Sequence, residues 1–151
     1  MDVARFLHVA GAVIWVGGMF FAYRALRPAA AALLQPPERL RVWRESFRRF
    51  FVWVWVSVAA LLGSGLWMIV LLGGFRAVGL HVHLMFAVGI VMMAIFAHVY
   101  FAPYRRLSQS VAGEDWKSAG AALGQIRKLV AVNLTLGLIT LALGTAGRML
   151  A

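Results

Sequence analysis

The sequence predicts an all-α fold, a polytopic membrane protein built as a four-helix transmembrane bundle. Three observations point there. Of the 151 residues, 63% are apolar, against ~45–50% in a soluble domain. Only 13% are Asp, Glu, Lys or Arg, too few to cover a water-facing surface. The charges fall between four long runs that contain none of them: Phe6–Tyr23, Phe51–Leu72, Ala77–Ala102 and Leu129–Gly147. A hydrocarbon core of roughly 30 Å needs about 20 helical residues, and each run is near or above that length. Lipid offers no partner to backbone N–H and C=O groups, so each run is expected to be helix. The turn-punctuated alternation of a membrane barrel is absent. The chain reads as one domain, 1–151, with spans at about 4–26, 50–73, 78–102 and 127–149.

The first run is too long for a signal-peptide core and has no small-residue cleavage pattern, so it is read as an uncleaved helix. Trp15, Tyr23 and Arg24 are expected to serve it as membrane anchors. After it, Pro36-Pro37 breaks any helix running down from the first span. In Glu38–Phe50, Leu40, Trp43 and Phe47 recur at helical spacing with Arg between them, an amphipathic stretch continuing into the second span. Pro103 is expected to end the third span. Glu114-Asp115 then opens a new helix, because acids suit the positive end of the helix dipole. That helix continues through Ile126 into the fourth span.

Charge sets the expected orientation. Seven Arg and two Glu lie between Arg24 and Arg49, and five basic and two acidic residues between Arg105 and Lys128. Arg5, Arg76 and Arg148 lie at the opposite ends of the spans. Basic loops stay on the cytoplasmic side, which puts both termini outside, in the periplasm if the membrane is a bacterial inner membrane. The basic loops are expected to meet anionic headgroups of the lipid bilayer. Nucleic acid is not an expected partner, since no binding module accompanies the charge.

Chemistry is then sought within the membrane, where ionisable groups are costly. No carboxylate lies inside a span, which disfavours a carboxylate proton relay, and there is no Cys. Phosphate loops, zinc-protease motifs and Ser-His-Asp sets are missing too. The available donors are four His (His8, His81, His83 and His98) and seven Met, which suit haem iron or copper. By depth, His8, His81 and His83 share the outer side. His98 lies 15 residues beyond His83, roughly 22 Å further along a helix. His81 and His83 differ by about 200° in direction, so one of them can face a given neighbour. A bridge from His8 to either is feasible, and a site holding all four is not.

Small residues share a face with His8: Gly11, Ala12, Trp15, Gly18 and Met19 follow at helical spacing. They leave room for a flat macrocycle or for a closely packed helix. The last span carries a matching strip of Asn133, Gly137, Thr140, Gly144 and Arg148.

Leu7-His8 followed by Trp15, Gly17-Gly18, Tyr23-Arg24 and Leu26 resembles the opening helix of the CopD-like superfamily. That superfamily includes CopD/PcoD-type copper-resistance membrane proteins and, more distantly, HemJ-type protoporphyrinogen oxidases. Leu80-His81-x-His83-Leu84, His98, the exit Arg105-Arg106-Leu107 and Asn133 are similar to the HemJ-type pattern. The chain departs from that pattern at His83, where those enzymes carry Lys, and at Leu134, where they carry Glu. The resemblance implies four helices and a b-type haem.

Three functions compete. The first is a haem b protein for electron transfer, with His8 and one of His81 and His83 as axial ligands, Trp15 and Gly11 walling the ring, and Arg148 with Arg5 and Arg76 pairing with propionates. Such a module needs a redox partner, whose identity stays open, and can form a homodimer. The second handles copper through His and Met. The third, an oxidoreductase, acts on a porphyrinogen. One haem per chain is expected, with His98 as a hydrogen-bonding or substrate-side group.

Overall fold

A computed structural model describes residues 1–146. Arg148, the last candidate of the fourth-span strip, lies outside the described residues. Four helices are long and apolar enough to cross a membrane: α1 (Asp2–Leu33), α2 (Pro36–Leu71), α3 (Leu80–Ala112) and α4 (Trp116–Ala146). No strand occurs among the described residues. The chain is an integral membrane protein with an all-α, four-helix architecture. The connections at 34–35 and 113–115, with most of the arginines, define a basic end. The N-terminus and the loop at 72–79 define the opposite, terminal end.

Local chemistry sets the helix boundaries. Pro36 opens α2, where its missing N–H costs nothing, and the Glu38 carboxylate accepts from the Gln35 N–H at 3.3 Å in a capping box. At α4 the Asp115 carboxylate accepts from the Ser118 N–H at 3.0 Å. The Ser118 hydroxyl, and then its backbone N–H, hold the Asp115 carboxyl below its ordinary range. At the terminal end the chain reverses through Gly73 and Gly74, whose φ of 97° and 87° favours glycine.

Pro103, expected to end the third span, does not end its helix. The helix runs on to Ala112 through a π-helical turn at Tyr100–Tyr104 that contains the proline. Proline removes one N–H and crowds the carbonyl four residues back, and the wider π register absorbs both. A second π turn, Ala22–Leu26, lies in α1 just ahead of Pro28.

The helices pack as two close pairs, α1 along α2 and Leu80–Val99 of α3 along α4. Glycines set both seams. A Cβ at Gly11 would stand 3.1 Å from Leu61 and 3.2 Å from the Ser57 carbonyl, and Gly18 lies directly under the Phe50 ring. Across the other seam, Met92 sits over Gly137 and Met85 over Gly144, and the Asn133 amide donates to the Met92 carbonyl at 3.3 Å. Towards the basic end the pairs are locked by rings. Phe47 stacks on Phe51 at 5.1 Å, and Phe51 meets Tyr104 edge-on at 5.0 Å and Phe96 at 5.4 Å. Leu107 and Ile126 are fully buried behind them.

Candidate functional site

Three of the four imidazoles lie towards the terminal end, on two helices, α1 and α3, that are not packed closely against each other. His8, half-buried on α1, faces α2, where Gly65 leaves room for the ring: a Cβ there would lie 3.3 Å from His8 Cε1. Its Nδ1 is 3.0 Å from Ser64 Oγ. The serine has one hydroxyl proton, and that proton is directed to the Ala60 carbonyl. With that proton engaged, Ser64 Oγ is placed to accept from Nδ1–H of His8, and Nε2 stays outside this contact.

His83, exposed on the first turns of α3, is held through the same ring atom by another route. Its Nδ1 lies 3.2 Å from the Gly79 carbonyl, which can only accept. Nδ1 is again the donor and Nε2 is free. A ring N–H held by a carbonyl or hydroxyl is the outer-shell arrangement that fixes a metal-binding histidine's tautomer. Phe75 flanks the ring at 5.9 Å. His81 also folds back on Gly79, its ring 3.0 Å from where a Cβ would stand. Gly79 thus accommodates both side chains at the start of α3.

The other predicted residues are placed elsewhere. His98 is exposed on the last turn of α3 before the π segment, far from the other three. Gly11 packs on α2 and Gly18 on Phe50, so protein fills the face expected to leave space for a macrocycle. Trp15 is 2% exposed and meets Phe96 edge-on at 6.0 Å. With Phe51 and Asn133 it lines a cavity of ≈ 20 Å³, room for one water. Asn133 Oδ1, buried, has no protein partner. Among the described residues no three His, Asp or Glu side chains form a group able to hold a metal ion by themselves.

Sequence reasoning missed Ser64, Gly65 and Gly79, the residues that orient the imidazoles. The available signal was Ser64, a polar group inside an otherwise apolar run. A further set of donors lies along α3: His81, Met85 and Met92 share a helical face, with Met85 and Met92 against α4.

Comparison with known proteins gives one family. A family model described as copper resistance protein D matches residues 44–146, from within α2 to the end of the described part of α4. The match includes Ser64, His81, His83, His98 and Asn133 and leaves α1, with His8, outside it. No curated protein and no solved structure matches the chain.

Proposed function

The chain belongs to the copper resistance protein D family, and from that premise we propose that it takes copper as cargo at its terminal end, through Nε2 of His8 and Nε2 of His83. One observation carries the reading. His8 and His83 share one depth class, and each engages a fixed partner through Nδ1, Ser64 Oγ at 3.0 Å and the Gly79 carbonyl at 3.2 Å, which leaves Nε2 outside both contacts. Imidazole and thioether suit copper, and no harder carboxylate competes within the spans. His81 and Met85 supply the next soft donors. With the basic end on the cytoplasmic side, the imidazoles face outward and both termini are extracytoplasmic. A C-terminal reporter is expected to behave accordingly.

The test is Cu(I) affinity of the purified protein, measured by competition with a chromogenic chelator. His8→Ala and His83→Ala are each expected to weaken binding by at least about tenfold, the order seen when a site loses even an outer-shell partner. Unchanged affinity in the double variant would refute the site.

A second reading, a b-type haem serving electron transfer, rests on the same imidazoles. His8 and His83 would offer imidazole to the iron, but the expected wall does not fit, because Leu61 and Phe50 close the space beside Gly11 and Gly18. A Soret band that is present in the purified protein and lost in His8→Ala would favour this reading over copper.

A further inference from the structure

Two groups of arginines at the basic end differ in their surroundings. Arg41, Arg48 and Arg49 are exposed and paired: Arg41 with Glu114 at 3.2 Å, and Arg48 and Arg49 with Glu45 at 2.7 and 2.8 Å. Arg24, Arg27, Arg39 and Arg127 are different. They come from α1, α2 and α4 and line one pocket of ≈ 550 Å³. No Asp or Glu lines it, and among the described residues none of the four makes an ion pair. Arg27, Arg39 and Arg127 are half-buried and Arg24 is exposed, so like charges are held together around an open pocket without a counter-charge.

The surroundings are those of a built site. The π turn Ala22–Leu26 carries Tyr23 and Arg24 into the pocket wall, and such turns recur at functional positions. Tyr23 holds the Arg27 guanidinium 5.1 Å from its ring centre, which limits the rotamers available to the charge. Trp43 and Trp116 contribute apolar wall on the α2 and α4 sides. The volume lies in the range of small-molecule sites, roughly 300–1,000 Å³.

Four convergent guanidiniums with no counter-charge call for a multiply charged anion, and the planar guanidinium fork matches phosphate oxygens in pairs. We propose that this pocket binds a multiply charged phosphate group. The group comes either from the headgroup of an anionic phospholipid or from a soluble polyphosphate. Basic pockets between helices at a membrane face serve headgroups in this way. The site is independent of the copper reading, since it lies at the other end of the bundle.

The experiment compares two double variants that remove equal charge from the same end: Arg27→Gln with Arg127→Gln, and Arg48→Gln with Arg49→Gln. Each is placed in phosphatidylcholine nanodiscs with and without diphosphatidylglycerol, and separately titrated with inorganic pyrophosphate. Retained lipid is counted by native mass spectrometry, and melting is followed throughout. The pocket pair is expected to weaken phosphate binding roughly tenfold or more, and the surface pair by less than about twofold. Response to the lipid alone assigns the headgroup, and response to pyrophosphate assigns the soluble ligand. Equal losses in both pairs would reduce the effect to diffuse charge and overturn the site, as would wild-type protein that binds neither probe. If the glutamine pair does not fold, Arg27→Lys with Arg127→Lys keeps the charge and removes the fork. A loss of binding in that pair supports the pocket, and unchanged binding overturns it.

Discussion

Towards the basic end, Phe47, Phe51, Phe96, Tyr100 and Tyr104 interlock across α2 and α3, with Leu107 and Ile126 fully buried behind them. Towards the terminal end, α3 leans on α4 through Met85 and Gly144, and Leu80 and Leu84 stay open at 73% and 44% exposure. Lipid tails are as apolar as side chains, so helices in a membrane gain little from mere apolar contact. Close packing and a few polar bonds hold them together. The ring-locked half therefore carries most of the stability. The terminal half keeps imidazoles reachable because it is less closely packed, as ligand-binding regions commonly are.

The largest expected effect tests that division directly. Phe51→Ala removes a ring that contacts five others and is expected to cost about 3 kcal/mol. Leu71→Ala, half exposed at the end of α2, is expected to cost under about 0.5 kcal/mol. Reversible unfolding in micelles measures both, and similar losses would erase the contrast between the halves.

Next come the glycine seams. A side chain at Gly137 starts 2.9 Å from Val16 and 3.2 Å from Met92, so Gly137→Leu is expected to destabilise by about 2 kcal/mol through overpacking. Gly63 has no atom within 4 Å of a Cβ position. Gly63→Ala is expected to be neutral or to stabilise by up to about 1 kcal/mol. Melting curves of the pair show whether close approach, rather than glycine content, sets the seam.

Ser64→Ala sharpens the picture of the open half. It leaves the His8 Nδ1 proton without its acceptor and the ring free to turn. Copper affinity is expected to fall about tenfold, while stability changes by under about 1 kcal/mol. Chelator competition and unfolding on the same sample separate the two. A stability loss with unchanged affinity would make Ser64 a packing residue only.

The smallest effect sits at the boundary between the halves. Asn133→Leu removes the bond to the Met92 carbonyl and also removes the partnerless Oδ1. The two changes oppose each other, and the net is expected near 0.6 kcal/mol, the average for such bonds between membrane helices. A loss of several kcal/mol would show that Asn133 and its small cavity hold the pairs together.

The sequence by itself determined what depends on local composition. Four charge-free runs required four helices, since unpaired backbone cannot remain in lipid. Pro36-Pro37 marked a helix break and Glu114-Asp115 a helix start, because ring geometry and dipole chemistry act within one turn. The depth of His98, far from the other imidazoles, followed from rise per residue alone. Pro103 misled because its effect depends on whether the helix can widen, and the surrounding turn of Tyr100–Tyr104 does.

Tertiary structure decided what depends on helix rotation and on which neighbour a face meets. The strips on α1 and α4 were visible as small residues, but only the packed bundle shows Phe50 and Leu61 filling one and Met85 and Met92 the other. Ser64 stands 56 positions from His8, a pairing no local pattern carries. The seven arginines between Arg24 and Arg49 look alike in sequence. The fold pairs Arg41, Arg48 and Arg49 with glutamates and gathers Arg24, Arg27 and Arg39 with the distant Arg127 around one pocket. Periodicity and hydropathy are properties of one segment, whereas the direction a side chain faces is set by the helices packed against it.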